Sequence, residues 1–269
     1  MKRIAVLLTC YNRVRVTLRC LESLFQQKLP AGYEIEVYLV DDASPDDTGR
    51  IVKQKFPDVN VILGSGSLYW NRGMRLAWDS ASAQCDYDYY LWLNDDVRLE
   101  KTAVADLLAD HSRVNGVVVG TFAPNEKFQE VSYGASTAMP TGDEPVRGDK
   151  GMNGNLVLVP KNIFDAIGPI CKLFHQQYGD CDYGYQARKA GFDYYASSRF
   201  SGICPEQPER YLHLKERTLL QRLRLLFDPK GYCLSDAIIA KYRKTGFCGA
   251  CLSAAHIVLC VVFAKETRR

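Results

Sequence analysis

The sequence predicts an α/β fold, a mostly parallel sheet flanked by helices, and three observations carry that expectation. The first half alternates short apolar runs with segments whose apolar residues recur every three or four positions. The runs are rich in Val, Ile, Leu and Tyr and nearly continuous, as strands buried beneath two helical layers must be. Polar clusters follow three of the runs, at the carboxyl edge where an open parallel sheet binds its ligands.

Met1-Lys2-Arg3 leads into Ile4-Ala5-Val6-Leu7-Leu8, which is too short for a secretory segment and precedes no small-residue cleavage site. Ile4–Thr9 therefore reads as the first strand, and the chain as not exported. Val14, Leu18, Leu21 and Phe25 mark one face of a helix. Ile35–Val40 is the second strand. Ser44-Pro45-Asp46-Asp47 then offers a cap residue, a proline at the first helical position and an acid three residues on, predicting a helix over 45–55. Val59–Leu63 is the third strand, and Arg72–Ala83 a helix with Met74, Ala77 and Ala81 on one side. Tyr89–Leu93 is the fourth strand. The stretch 120–151, with Pro124, Pro140, Pro145 and several glycines, reads as loop, including a mobile segment. Apolar order returns at Leu156–Val159. A helix opened by Pro160 turns Ile163, Phe164 and Ile167 inward, and a short helix over Asp180–Ala190 is stopped by Gly191. Residues 1–208 are expected to form this domain, and 209–269 a basic, helical C-terminal extension.

The net charge of +3 gives no argument for nucleic acid, but its distribution is uneven. Residues 209–269 hold twelve Lys/Arg against five Asp/Glu, a net of +7, which leaves −4 for residues 1–208. Ten cysteines have no framework spacing and read as reduced core residues. Cys248-Gly249-Ala250-Cys251 has redox or zinc spacing without a second pair, which leaves it a structural or incidental role. The four histidines are far apart in sequence. No P-loop sequence occurs, and Gly64-Ser65-Gly66 lacks the third glycine of a dinucleotide fingerprint.

Asn94-Asp95-Asp96 ends the most apolar strand with two consecutive acids. Such carboxylates repel unless a cation neutralises them, and oxygen ligands suit Mg²⁺ or Mn²⁺. A helix cap for the segment near Glu100 explains them equally well when they are taken alone. Asp41-Asp42 repeats the pattern after the second strand, where an acid can accept from a ribose or a base N–H or can cap a helix. Asp180-Cys181-Asp182 opens a helix, so one acid is accounted for by the helix dipole and the other is free to act as a general base.

These clusters resemble family 2 of the inverting glycosyltransferases, with the GT-A (Rossmann-like) fold, and within it a rhamnosyltransferase-like group. The resemblance rests on Thr9-Cys10-Tyr11-Asn12-Arg13, Val40-Asp41-Asp42-Ala43-Ser44 and Leu93-Asn94-Asp95-Asp96-Val97, in that order. It extends through Gly66–Met74, Gly154-Asn155-Leu156 with Gly168, and Gly179-Asp180-Cys181-Asp182, covering about residues 3–205. It implies that Thr9, Tyr11, Asn12, Arg13, Asp41, Asp42, Arg72 and Asp95 form the nucleotide-sugar pocket, with Asp41 on the base. It implies that Asp96, assisted by Asp95, holds a divalent metal on the diphosphate, and that Asp180 is the catalytic base. Asn94 stands where the family often has an acid. Gly179 replaces an acid that commonly precedes the base, so Asp182 is a rival for that role. The implied donor is a UDP- or dTDP-sugar, and the implied acceptor a glycan or lipid-linked molecule in polysaccharide or lipid-linked glycan synthesis. Two other readings are a sugar-nucleotide pyrophosphorylase, which needs a glycine-rich basic loop that Thr9–Arg13 lacks, and a non-catalytic nucleotide-sugar-binding protein.

Phe247 to Ala264 carries no formal charge; Lys241, Arg243 and Lys244 precede it, and Lys265, Arg268 and Arg269 follow. A buried helix, an interfacial helix on anionic lipid and a membrane span all fit this pattern. Leu219-Leu220, Leu223, Leu225-Leu226 and Phe227, interleaved with Arg222 and Arg224, suggest a second amphipathic helix. The expected location is the cytoplasm, at the inner face of the cell membrane where the tail contacts lipid.

Overall fold

The fold was described from a computed structural model, which describes residues 1–205 and 214–264. In chain order the elements are β1 (Lys2–Cys10), α1 (Val14–Phe25), β2 (Tyr33–Asp41), α2 (Thr48–Lys55), β3 (Asn60–Leu63), α3 (Tyr69–Gln84), β4 (Tyr89–Leu93), β5 (Arg98–Leu99), α4 (Ala103–His111), β6 (Gly116–Ala123), β7 (Val146–Arg147), β8 (Leu156–Pro160), α5 (Lys161–Ile167), α6 (Gly179–Lys189) and β9 (Asp193–Ile203). A 3₁₀ turn (Leu214–Glu216), α7 (Leu219–Arg224) and α8 (Leu234–Val262) follow.

One sheet runs in the order β3-β2-β1-β4-β8-β6-β9-β5, with β7 paired to β9. Strands β3, β2, β1 and β4 are mutually parallel; β8 is antiparallel to both β4 and β6, and β6 and β9 are parallel. The sheet is therefore mixed: it is parallel from β3 through β4, β8 is reversed at its centre, and the two-residue strands β5 and β7 run antiparallel to β9. Alternate residues of β1 enter different cores. Ile4, Val6 and Leu8 pack with Leu21 and Leu24 of α1 and Leu107 of α4, while Ala5 and Leu7 pack with Met74, Ala77 and Trp78 of α3. Both faces are covered, as near-continuous apolar strands require.

Register places the site. Leu7 lies opposite Trp92 and Cys10 opposite Asp41, so the segments after β1, β2 and β4 emerge at one edge. Because β8 runs the other way, its start meets that same edge: Leu93 pairs with Leu156, and Asn155 lies beside Asn94.

Three local expectations are corrected. Helix α2 begins at Thr48 rather than Pro45: Ser44 is engaged elsewhere, and Asp46 accepts from the Thr48 N–H at 3.2 Å from outside the helix. The Ser44 hydroxyl accepts from the Asn12 N–H, and Asp46 accepts from the Val14 N–H, the first of α1. The buried stripe of α1 is Thr17, Cys20, Leu21 and Leu24, whereas Phe25 is exposed and stacks on Phe56. The stretch 120–151 starts inside a fully buried strand, β6, and only then becomes loop. All ten cysteines are free, but only five are buried; Cys248 and Cys251 are exposed on α8.

The extension has a small core of its own, built from Leu214, Leu225, Leu226, Tyr232 and Val261. Polar contacts dock it. Asp236, fully buried, accepts from the His175 backbone N–H at 2.8 Å and pairs with His175 Nδ1 at 2.7 Å. Arg243 grips the Asp182 carboxylate at 2.8 and 3.0 Å. Helix α8 is interrupted at Gly246 (φ 78°), a left-handed conformation that breaks it into two segments. The expected boundary at 208/209 and the basic residues Lys265, Arg268 and Arg269 lie outside the described residues.

Candidate active site

A cleft of about 750 Å³ opens at the carboxyl edge of β1 and β4. Thr9, Cys10, Tyr11 and Arg13 line it from the end of β1, Asn94, Asp95 and Asp96 from the end of β4, and Asp42 from the end of β2. Residues far apart in sequence, and singled out separately, thus share one wall. Burial, reinforced by Asp95 and Asp41, pushes the Cys10 thiol up, which disfavours its thiolate.

The two acids after β4 differ in setting. Asp95 is 5% exposed at its side chain; it accepts from the Thr17 hydroxyl at 2.9 Å and lies 3.3 Å from Arg13 Nη1. Asp96 is 25% exposed and accepts from the same guanidinium at 3.1 Å. One cation thus serves two carboxylates. Burial, opposed by Arg13 and assisted by Asp96, pushes the Asp95 carboxyl up to about 7. Asn94 is a linker rather than a third acid. Its Oδ1 accepts from Trp70 Nε1 at 2.6 Å, and its Nδ2 donates to Asn155 Oδ1 at 2.6 Å.

The acids after β2 hold backbone. Asp42 accepts from the N–H groups of Gly66, Leu68 and Tyr69 at 2.7–3.1 Å, fixing the turn into α3 at the cleft wall. Asp41 accepts from the Ser44 and Gly49 N–H groups at 3.0 and 2.9 Å. Its side chain is directed into the start of α2 and does not line the cleft, so the expectation that it meets the base is not matched by its position. Asn12 (φ 53°) belongs to the exposed turn held by Ser44, and Arg72 is half-buried on α3; neither is on the cleft wall.

Asp180 stands at the start of α6, its carboxylate accepting from the Gly154 and Cys181 N–H groups at 3.1 and 2.8 Å. Gly154 packs against the Trp70 ring, where a Cβ would collide. Asp180 is thereby coupled to the acid pair through Gly154, Asn155 and Asn94. Burial pushes its carboxyl above the ordinary 3.8, and the two amides only partly offset this. Asp182, two residues on, is instead held by Arg243.

Sequence reading missed four residues of this region. Trp70 and Gln176 line the cleft, Asn155 tethers Asn94, and Lys230 of the extension also lines it. The tryptophan and the β8 asparagine lay inside quoted segments, but nothing in the sequence connected residues 176 and 230 to residue 96. A second depression, of about 720 Å³ between α2, β3 and α3, is lined by no acid. Among the described residues His175, Cys233 and Asp236 also bring metal-capable atoms within 4.8 Å of one another, yet the His175–Asp236 bond already satisfies that pair.

The sequence pattern of glycosyl transferase family 2 matches residues 5–163, more than half of the chain. The chain belongs to glycosyl transferase family 2. The match includes the ends of β1, β2 and β4 and stops before α6, so Asp180 and Lys230 lie outside it. No curated protein matches the sequence significantly. Among solved structures, S. aureus TarS 1-349 in complex with UDP is similar, with a TM-score of 0.58 at 16% identity over 90% of this chain and 71% of that one. The mannosyltransferase PcManGT from Pyrobaculum calidifontis, in complex with GDP-Man and Mn²⁺, is similar at a TM-score of 0.57 and 16% identity, over 98% and 76% of the two chains. TarS 1-349 in complex with UDP-GlcNAc is similar to the same degree (TM-score 0.57, 16% identity), over 92% of this chain and 73% of that one. At these identities the likeness concerns the fold: this family 2 member has the GT-A architecture.

Proposed function

We propose that this family 2 member is an inverting glycosyltransferase that moves a hexosyl or rhamnosyl unit from a UDP- or dTDP-sugar to a hydroxyl of a glycan or lipid-linked acceptor, in polysaccharide or lipid-linked glycan synthesis. One observation carries the reading. A half-buried carboxylate with no ion pair among the described residues, Asp180, is joined through Gly154, Asn155 and Asn94 to an acid pair in a cleft large enough for a nucleotide-sugar. In this reading Asp180 accepts the acceptor's proton as its oxygen attacks the anomeric carbon, and a single displacement inverts that centre. Its raised pKa makes it a better proton acceptor than an ordinary Asp. Asp182 is disfavoured because Arg243 occupies it.

The donor set fits a hard divalent ion. Asp96 lines the cleft and is a quarter exposed, and burial, reinforced by Asp96 and only partly offset by Arg13, pushes the Asp95 carboxyl up to about 7. Asp96, with Asp95, would hold Mg²⁺ or Mn²⁺, which when bound supplies charge neutralisation for the leaving diphosphate. Thr9 and Tyr11 line the nucleotide side, and Asp42 holds the turn beneath it.

The test is transfer and donor hydrolysis across a nucleotide-sugar panel with Mn²⁺, using wild type and Asp180→Asn. The variant is expected to lose at least about 100-fold in kcat, the range of a lost general base, with donor affinity within a factor of two. Unchanged turnover sinks the assignment of the base. Donor binding without transfer or hydrolysis in the wild type favours a non-catalytic binder.

For the extension we propose interfacial attachment at the inner face of the cell membrane. After Gly246 the helix exposes Phe247, Leu252 and Leu259, and the segment up to Val262 is shorter than the ~20 residues of a span. Lys241 and Lys244 lie just before it, suited to anionic headgroups.

A further inference from the structure

Two cations line the cleft, Arg13 and Lys230, and their situations are opposite. Arg13 is committed to Asp95 and Asp96. Lys230 forms no ion pair with any described residue and reaches the cleft from the extension, far outside the family match. An exposed ammonium with no ion-pair partner among the described residues, lining a cleft that suits an anionic ligand, is the arrangement that binds phosphate.

The loop that carries it is built rather than incidental. Lys230 N–H donates to Asp228 Oδ1 at 2.8 Å, Gly231 N–H to the Asp228 carbonyl at 2.8 Å, and Tyr232 N–H to the Leu225 carbonyl at 2.7 Å. At Gly231 a Cβ would come within 2.5 Å of that same Leu225 carbonyl, so the turn is tight. Gln177 Nε2 donates to the Gly231 carbonyl at 3.0 Å and the Pro229 carbonyl at 3.4 Å, on either side of Lys230. The same segment holds the cleft wall. Gln176 Oε1 accepts from the Trp70 N–H at 3.0 Å and the His175 carbonyl from the Asn71 N–H at 3.0 Å, both in the first turn of α3. The His175–Asp236 pair locks α8 to this hub. Residues 175–177 thus fix Lys230 with respect to the wall formed by Trp70 and Asp42.

We propose that Lys230 binds the diphosphate of the nucleotide-sugar donor, so that the C-terminal extension completes the donor site. The inference rests on the nucleotide-sugar reading of the cleft. Because Arg13 is engaged by the acid pair, Lys230 supplies the free positive charge that the diphosphate meets on the extension side. As a point charge on a flexible stem it suits phosphate oxygens without demanding one geometry.

Calorimetry of the full-length protein with UDP, dTDP and GDP, and with the matching nucleosides, in Mn²⁺ buffer tests this with Lys230→Met and Lys230→Arg. Lys230→Met is expected to weaken the bound nucleoside diphosphate about tenfold or more, the scale of a lost charge-assisted bond. Nucleoside affinity should stay within twofold, the salt dependence should flatten, and Lys230→Arg should recover most of the loss. Equal binding of the diphosphate by wild type and Lys230→Met overturns the inference and leaves the glycosyltransferase reading standing. A parallel loss of nucleoside and diphosphate binding also overturns it, since that marks a structural effect. Failure of the wild type to bind any of the three diphosphates overturns the nucleotide-sugar reading and this inference with it.

Discussion

Asp95 and Asp180 are both carboxyls whose pKa burial raises, and the consequences differ with what surrounds them. As the proposed base, Asp180 would work only when ionised, so kcat/KM should fall as pH drops through a value above the ordinary 3.8, and a pH–rate profile reads that limb directly. For Asp95 the measurable quantity is stability. Its folded pKa of about 7 exceeds 3.8, so folding favours the protonated form. Its contribution to stability is then full below about pH 4 and is lost as pH rises towards 7. Asp95→Asn keeps an acceptor for Thr17 and removes the buried charge. In EDTA-treated protein it should raise Tm at pH 8 by roughly 2–4 °C, equivalent to about 1 kcal/mol for a chain of this size, and change little at pH 4. A lower Tm at pH 8 would show that the Arg13 pair outweighs desolvation.

At the scale of elements, the site depends on how closely α3 approaches β1. Gly73 lies against the Thr9 hydroxyl, where an added Cβ would collide, and Gly73 is buried within the first turns of α3. Gly73→Ala therefore must push helix and strand apart beneath the cleft. Overpacking of this kind costs about 1–3 kcal/mol, and it should appear as a lower Tm together with weaker nucleotide binding. A surface change such as Arg50→Ala, whose Asp47 pair is exposed, should alter neither. Helix α6 shows the same logic at its start. Its first turn carries one acid turned to Gly154 and another held by Arg243, so two carboxylates two residues apart acquire different partners.

Across the whole molecule, the extension has two faces with different expectations. Its inner side joins the 175–177 hub, while its outer side exposes Phe247, Leu252, Leu259 and Phe263. Apolar side chains grouped on one exposed helix end, next to basic residues, are the pattern of interfacial attachment. Full-length protein should float with liposomes containing anionic lipid and less with neutral ones. The double variant Phe247→Glu/Leu252→Glu should stay with the soluble fraction at unchanged Tm. Equal flotation of wild type and variant would remove the membrane from the picture.

The strands from β1 to β4 and the helices between them were legible in the sequence because apolar periodicity is a local signal that burial on two faces enforces. The long β9 was not legible. Its Ser197, Ser198 and Ser201 are buried, with Ser198 satisfied by Asp110 and Ser197 accepting from the Thr121 N–H, so polar residues stand where the pattern demands apolar ones. The cap over 44–47 misled for a related reason: Ser44 bonds to the turn before α1, and Asp46 splits its carboxylate between the starts of α1 and α2. In the site, the acids at the strand ends and at α6 were visible as residue types, but their division of labour was not. That Asp95 is buried against Thr17 and shares Arg13 with the more exposed Asp96, and that Asp182 rather than Asp180 has an ion-pair partner among the described residues, are set by partners 61 to 83 residues away. The sequence by itself determined the fold class and the acid clusters, because hydrophobic period and strand-end position act over a few residues. Only the tertiary structure decided which acid keeps a free oxygen and that Lys230 meets the same cleft, because burial and charge pairing are properties of neighbours the chain brings together only once it is folded.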